Sequence, residues 1–135
     1  MGTRGYIVIK FQNKYYRIYN HWDSYPEGLG VNVVNAVKTR KIEKTKEYVD
    51  YIIDKFLTNQ DNLDITEDVR DIANDVFIEW VYIIDIDNDT FSFTGGKYNP
   101  IYCLNEIPDD WLEKFNTINN FLSLDNYKQF INTNE

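Results

Sequence analysis

The chain of 135 residues has a formal net charge of −8 and a high content of aromatic residues. Its length suits one domain with its own hydrophobic core, and its composition argues against disorder. The negative charge argues against binding of long DNA or RNA, because such proteins neutralise many phosphates with clustered Lys and Arg. We therefore expect a single domain over residues 1–135.

The cysteine and histidine content limits metal and redox chemistry. Cys103 and His21 are the only residues of their types. They leave no internal disulfide and too few ligands for a structural zinc site, so no cofactor is predicted. The chain also lacks both a secretory signal and an apolar run of roughly 18 residues, the length that spans a bilayer. We expect a cytoplasmic protein, in the host cytoplasm if it is viral, with no membrane partner.

The N-terminal segment predicts a β-hairpin over Tyr6–Asn20. Apolar and polar residues alternate on both sides of Gln12-Asn13-Lys14, and asparagine tolerates the left-handed backbone that a tight turn requires. One face should therefore enter the core and the other should be partly wet. The predicted core face comprises Ile7, Ile9, Phe11, Tyr16 and Ile18, and the predicted outer face Lys10, Tyr15 and Arg17.

Helices are predicted next, because apolar residues recur at helical spacing. The first helix begins near Gly28–Gly30 and ends at about Lys38. The second carries an apolar stripe from Ile42 to Phe56. The third is capped by Asp64 or Thr66. Its predicted buried face comprises Val69, Ile72, Ala73 and Val76.

The pattern then returns to strands. A second hairpin is expected over Phe77–Thr94, followed by a short extended piece at Ile101–Leu104. Pro108 opens a helix with the predicted buried stripe Trp111, Phe115, Ile118 and Leu122, and Asp125–Ile131 closes the chain as a short helix. The predicted fold is α+β: an antiparallel sheet built from the hairpins Tyr6–Asn20 and Phe77–Thr94, with four or five helices packed on it.

The connection after the first hairpin, residues 19–30, reads YNHWDSYPEGLG and holds the strongest candidates for a site. Unpaired amides at a helix start attract anions and glycine permits close approach, so Gly28 and Gly30 are candidate anion-binding residues. Trp22 and Tyr25 are candidates for stacking on a planar ligand. The alternatives are an ordinary turn for the glycines and packing over the hairpin for the two aromatic residues.

Acid–base chemistry is a second interpretation of the same connection. His21 and Asp23 occupy alternate positions, so in an extended segment they project to one side and can orient each other. Ser24 adds the third residue type of a Ser-His-Asp triad, although three such residues within four positions give an awkward geometry. The alternative is a structural histidine packed beside Trp22.

Three aspartates in the second hairpin have the spacing that opens a calcium-binding loop. They are Asp85, Asp87 and Asp89. However, Thr90 and Gly96 stand where that loop needs glycine and a bidentate glutamate. We therefore predict that these carboxylates end the hairpin, and we predict no metal site.

The opening Gly2-Thr3-Arg4-Gly5, together with residues 19–30, resembles a family of small uncharacterised proteins of fungi and large DNA viruses. The recurring features of that family are GTRG and a YNH-aromatic-DSYP-x-GLG run, and the match covers about the first quarter of the chain. No activity comes with the resemblance. It implies that Arg4, His21, Asp23 and Tyr25 form one constellation.

Antiparallel pairing in the first hairpin places Arg4 at the same end as His21 and Asp23. We therefore predict a non-enzymatic binding module for a small anionic, nucleotide-like ligand at the open end of this hairpin. One alternative is a hydrolase or transferase that uses His21 and Asp23, and another is a structural or protein-interaction protein, such as a viral accessory protein. A protein partner or a homo-oligomer is left open. The predicted ligand-binding residues are Arg4, His21, Trp22, Asp23, Tyr25, Gly28 and Gly30.

Overall fold

The structure is a computed structural model that describes residues 3–71 and 77–123. Within these ranges the fold is α+β, with six strands and three α-helices. In chain order the elements are β1 (Gly5–Phe11), β2 (Lys14–Asn20), α1 (Val31–Thr39), α2 (Lys46–Phe56), β3 (Leu63–Thr66), β4 (Trp80–Asp85), β5 (Thr90–Thr94), β6 (Ile101–Cys103) and α3 (Trp111–Ser123).

The first hairpin forms as the sequence predicts. Gln12 and Asn13 adopt φ values of 51° and 61°, the left-handed backbone that a two-residue turn between twisted strands requires. This turn aligns Ile7 with Ile18 along an antiparallel pair. The predicted core-facing residues of this hairpin are all buried in the main core.

The sheet is mixed, which corrects the predicted antiparallel arrangement. Its strand order is β3-β2-β1-β4-β5-β6, and the two hairpins meet where β1 runs parallel to β4, with Gly5 beside Trp80. A parallel neighbour requires a long crossover connection, which the chain between the hairpins provides. The hairpin over β4 and β5 and the extended piece at β6 agree with the prediction.

The number of helices is also corrected, since the described residues form three α-helices rather than four or five. Leu63–Thr66 pairs with β2 as an edge strand, and Asp64 is part of that strand instead of capping a helix. The Thr66 hydroxyl accepts a hydrogen bond of 3.1 Å from the Asp68 amide. Val69–Asp71 forms one short 3-10 turn, and Val69 is exposed. The rest of that predicted helix, at 72–76, and the predicted closing helix at 125–131 lie outside the described residues.

The three helices pack on one face of the sheet and enclose an aromatic core. Thr45 caps α2 by accepting a hydrogen bond from the Tyr48 amide, 3.2 Å away. On α3, Trp111 and Phe115 are buried as predicted, whereas Ile118 is exposed. The core brings together the aromatic residues Tyr48, Tyr82, Phe91, Phe93, Trp111 and Phe115.

The opposite face of the sheet carries a second, smaller apolar cluster. Tyr6, Val8 and Val81 are buried there, and Ile78, from the chain leading into β4, packs on them. The Arg17 guanidinium lies 4.4 Å from the centre of the Tyr6 ring. The outer face of the first hairpin is therefore partly covered, and its basic side chains lie over aromatic rings.

No helix in the described ranges combines the length and apolarity needed to cross a bilayer.

Candidate functional site

The start of β1, the end of β2 and the start of β4 meet at one end of the sheet. The Ser24 amide donates a hydrogen bond of 3.1 Å to the Thr3 carbonyl, and the Glu79 amide donates one of 2.9 Å to the Arg4 carbonyl. The predicted meeting of the N-terminal segment with the histidine-containing connection is therefore present. We call residues 3–5, 19–30 and 77–80 the N-terminal corner.

Ser24 forms the buried centre of the N-terminal corner. Its side chain is fully buried, and its hydroxyl donates to the Asn20 carbonyl at 3.3 Å and accepts from the Asn20 amide nitrogen Nδ2 at 2.8 Å. Its own carbonyl accepts a hydrogen bond of 2.7 Å from the Tyr82 hydroxyl. A Cβ atom on the adjoining Gly5 would lie only 2.7 Å from the Ser24 Cβ. Ser24 is therefore a packing residue rather than the nucleophile of a triad.

His21 and Asp23 each form a hydrogen bond with a tyrosine. His21 Nδ1 and the Tyr19 hydroxyl are 2.6 Å apart, and the Asp23 carboxylate accepts a bond of 3.1 Å from the Tyr25 hydroxyl. The latter bond, with the charge of Asp23, raises the pKa of Tyr25. Within the described ranges His21 and Asp23 form no hydrogen bond with each other. The predicted acid–base pair is thus not assembled.

The amides of the glycine-containing turn donate to the chain itself. Pro26–Gly30 forms a π-helical turn that continues directly into α1. The amides of Gly28 and Gly30 donate to the Tyr25 carbonyl, at 3.0 and 3.5 Å. A Cβ on Gly28 would lie 2.5 Å from the Asp23 carbonyl oxygen, and one on Gly30 would lie 3.1 Å from the Tyr82 ring. These glycines therefore permit close packing, and their amides are already bonded.

The surface of the N-terminal corner is aromatic. Trp22 and Phe77 are 63% and 66% exposed, and Tyr25 is 38% exposed. The half-buried Arg4 places its guanidinium 5.8 Å from the centre of the Phe77 ring. In the part of the chain that the structure describes, no carboxylate lies within ion-pair distance of Arg4. The N-terminal corner thus combines exposed rings with a cation that has no carboxylate partner in residues 3–71 and 77–123.

The histidine ring restrains part of this aromatic surface. The rings of His21 and Trp22 meet edge to face with centres 4.5 Å apart, and His21 is in turn hydrogen-bonded to Tyr19. The contact with His21 therefore restricts the orientation of the Trp22 ring. Phe77 was not among the sequence candidates, because its position beside Arg4 depends on the parallel pairing of β1 with β4.

The three aspartates of the second hairpin differ in their partners, and only Asp85 bonds within the turn that it was predicted to end. The Asp87 carboxylate accepts backbone hydrogen bonds from Gln12 and Asn13 at 2.8 and 3.0 Å. Burial opposes ionisation of Asp87, but these bonds and the charges of Lys10 and Lys44 together outweigh it and lower the pKa of the carboxyl. Asp85 bonds to Asn88, and Asp89 pairs with Lys44 at 3.1 Å. The described residues contain no cluster of three or more side chains able to hold a metal ion.

Comparison of the chain with protein-family models, with curated proteins and with solved structures gives no match.

Proposed function

We propose that the protein is a non-enzymatic binding module that takes a small, nucleotide-like anion at the N-terminal corner. The observation that carries this proposal is the combination of exposed aromatic rings with an Arg4 guanidinium that has no carboxylate partner among the described residues. A flat ring system stacks on aromatic side chains, and a phosphate accepts charge-assisted hydrogen bonds from a guanidinium. A nucleotide offers both chemistries in one molecule.

The proposed roles follow from the contacts of each residue. Arg4 pairs with the phosphate, while Trp22 or Tyr25 stacks on the base. His21 and Tyr19 hold the Trp22 ring, which lowers the entropic cost of ordering it around a ligand. Asp23 orients Tyr25 through their hydrogen bond. The glycines are left out of the ligand-binding set because their amides donate within the turn.

No observation favours the hydrolase or transferase alternative. A general base needs an orienting partner and a free lone pair directed at the substrate. The described hydrogen bonds connect His21 to Tyr19 and Asp23 to Tyr25, so no contact supports the orienting role that this alternative gives to Asp23. Exposed aromatic residues also occur on protein-docking surfaces. A ligand titration distinguishes binding of a small anion from protein docking.

Thermal unfolding in the presence of adenosine monophosphate tests the proposal. A ligand that binds only the folded state at a tenfold excess over its Kd stabilises that state by about 1.4 kcal/mol, which raises the Tm by several degrees. We expect a concentration-dependent rise with adenosine monophosphate and a smaller one with adenosine or inorganic phosphate alone. The rise should be lost in Arg4→Ala and reduced in Trp22→Ala.

Two matched variants control for the loss of a surface cation and of a surface apolar group. Lys97→Ala removes an exposed lysine, and Ile101→Ala removes a side chain that is 73% exposed. Both should keep the full ligand response. A Tm that does not change with nucleotide, or an equal response in Arg4→Ala and Lys97→Ala, would refute the proposed site and leave protein docking as the use of this surface.

A further inference from the structure

A second cationic feature lies at the C-terminal end of α1, where a cavity of about 400 Å³ opens between the α1–α2 connection and the loop after β6. Its apolar lining comes from Val37, Ile42, Leu104 and Ile107. Its volume falls within the range of about 300–1,000 Å³ that is typical of small-molecule pockets. None of its lining residues belongs to the N-terminal corner.

Three basic residues, Lys38, Arg40 and Lys41, line the same cavity. Lys38 pairs with the exposed Asp109 at 2.8 Å. Among the described residues, no carboxylate lies within ion-pair distance of Arg40 or Lys41. In a chain whose 22 acidic residues outnumber its 14 basic ones, a cavity lining with three basic residues and no acidic one is a local reversal of charge.

The Arg40 side chain lies against two aromatic rings. It is half-buried, and its guanidinium lies 5.0 Å from the centre of the Tyr51 ring and 6.0 Å from that of Tyr48. A guanidinium stacked on aromatic rings keeps its in-plane N–H donors available for a carboxylate. Because these contacts restrict the side chain, binding an oxyanion costs less conformational entropy than it would for a fully exposed arginine.

The two neighbouring cavities have different lining chemistry. One of about 480 Å³ shares Arg40 but adds the carboxylates of Glu47, Asp50 and Asp54, which repel an anion. Another of about 310 Å³ is lined largely by amides and small residues, with Lys55 as its one charged group. The cavity at the end of α1 is therefore the one of these three that combines several cations, an apolar lining and no acidic side chain.

We infer that the cavity at the end of α1 binds a small organic carboxylate with an apolar body. Arg40 and Lys41 pair with the carboxylate, and the body lies against the apolar residues that line the cavity. This site is separate from the N-terminal corner. It requires a ligand with an apolar body and a single anionic group, whereas the N-terminal corner offers aromatic rings and one guanidinium.

Cations also occur near helix C-termini for a purely structural reason. They interact favourably with the negative end of the helix dipole, and Lys38 lies in the last turn of α1. That role predicts lower stability when such a cation is removed, but no dependence on added carboxylate. A ligand titration therefore distinguishes the structural role from the binding role.

Amide NMR with octanoate as the probe tests the inference. We expect saturable shifts of the amide signals of residues 37–42 and 104–107 and no comparable shifts at residues 19–25. Acetate, which lacks the apolar body, should bind more weakly by about tenfold or more. Octylammonium, which carries the same body with the opposite charge, should give no saturable shifts at this cavity.

Two variants of equal net charge give the matched comparison. Lys41→Glu and Lys97→Glu both reverse an exposed lysine, but only Lys41 lines the cavity. We expect octanoate affinity to fall by about tenfold in Lys41→Glu and to be unchanged in Lys97→Glu. Arg40→Lys, which keeps the charge but loses the planar donor pair, should weaken binding by a smaller factor.

Three results would overturn the inference. They are equal octanoate affinity in the two lysine variants, saturable octylammonium binding at the same amides, and octanoate shifts confined to other parts of the protein. The nucleotide experiment at the N-terminal corner has its own variants, Arg4→Ala and Trp22→Ala. The two proposals can therefore fail independently.

Discussion

Tyr48 and Tyr82 are a matched pair of buried tyrosines that differ in one hydrogen bond. Both side chains are fully buried in the main core. The Tyr82 hydroxyl donates to the Ser24 carbonyl at 2.7 Å, whereas the Tyr48 hydroxyl is the buried side-chain polar atom that lacks a partner among the described residues. Replacing each tyrosine by phenylalanine removes the hydroxyl and keeps the ring, so the two substitutions isolate the effect of that bond.

The two substitutions should change stability in opposite directions. A buried polar group without a partner costs about 1–3 kcal/mol, and a satisfied hydrogen bond contributes about 0.5–1.5 kcal/mol. Tyr48→Phe removes an unpaired group but also the packing of one oxygen atom, so we expect a gain of about 1 kcal/mol. Tyr82→Phe leaves the Ser24 carbonyl without this donor, and we expect a loss of about 1–2 kcal/mol.

Urea unfolding at neutral pH, followed by circular dichroism, measures both changes. The free energies of unfolding of the two variants should differ by about 2–3 kcal/mol, and the slope of the free energy against urea concentration should stay the same. A loss of stability in Tyr48→Phe similar to that in Tyr82→Phe would refute the reasoning. It would mean that a bound water or a residue outside the described ranges satisfies the Tyr48 hydroxyl.

Three further predictions concern groups that the fold holds in place. Burial raises the pKa of Tyr48 to about 12, whereas the pKa in the unfolded chain is about 10. The folded state should therefore lose stability as the pH rises between these two values, by about 1.4 kcal/mol per pH unit. Urea titrations at alkaline pH should show a smaller loss of stability per pH unit in Tyr48→Phe. Gly5→Ala should lower the free energy of unfolding by about 1–3 kcal/mol, since the new Cβ meets Ser24 at 2.7 Å, and an unchanged urea midpoint would contradict this close packing. Asp87→Ala should destabilise the first hairpin's turn by about 1 kcal/mol, and faster amide exchange at Gln12 is the expected signature, whereas exchange that stays slow would contradict it.

The first hairpin was predictable because its determinants are local. The alternation of apolar and polar residues determines which side chains face the core, and Asn13 accepts the left-handed backbone of the turn. The pairing of β1 with β4 was not predictable in the same way, since alternation is identical in parallel and antiparallel strands. That contact joins Gly5 to Trp80, which are far apart in the sequence, so no short-range pattern records its direction.

β3 was missed because its sequence signal is weak. Leu63–Thr66 has four residues, and Asp64 is a good helix cap in the absence of tertiary contacts. In the fold Asp64 instead pairs with Arg17 on β2 at 2.8 Å. Pairing with the exposed edge of β2 thus outweighs the local capping preference, an example of tertiary contacts overriding propensity.

The convergence at the N-terminal corner was predictable, but the pairing of its side chains was not. The hairpin register places Arg4 and the segment after Asn20 at one end, whatever their chemistry. The predicted pair of His21 with Asp23 assumed a continued extended backbone. Asp23 instead has a φ of 54°, which ends the alternation, and its carboxylate bonds to Tyr25. The left-handed backbone of this one residue therefore explains why the side chain of Asp23 bonds to Tyr25 and not to His21.

The backbone amides that made the glycine turn resemble an anion-binding site form hydrogen bonds within the chain itself. Helix-start amides attract anions only where they lack partners, and those of Gly28 and Gly30 already donate to Tyr25. Anion binding then depends on cations without carboxylate partners. Within the described ranges such cations include Arg4, beside exposed aromatic rings, and Arg40 with Lys41, beside an apolar cavity. Under the two proposals, the surroundings of each cation, rather than the glycine motif, determine which class of anion binds there.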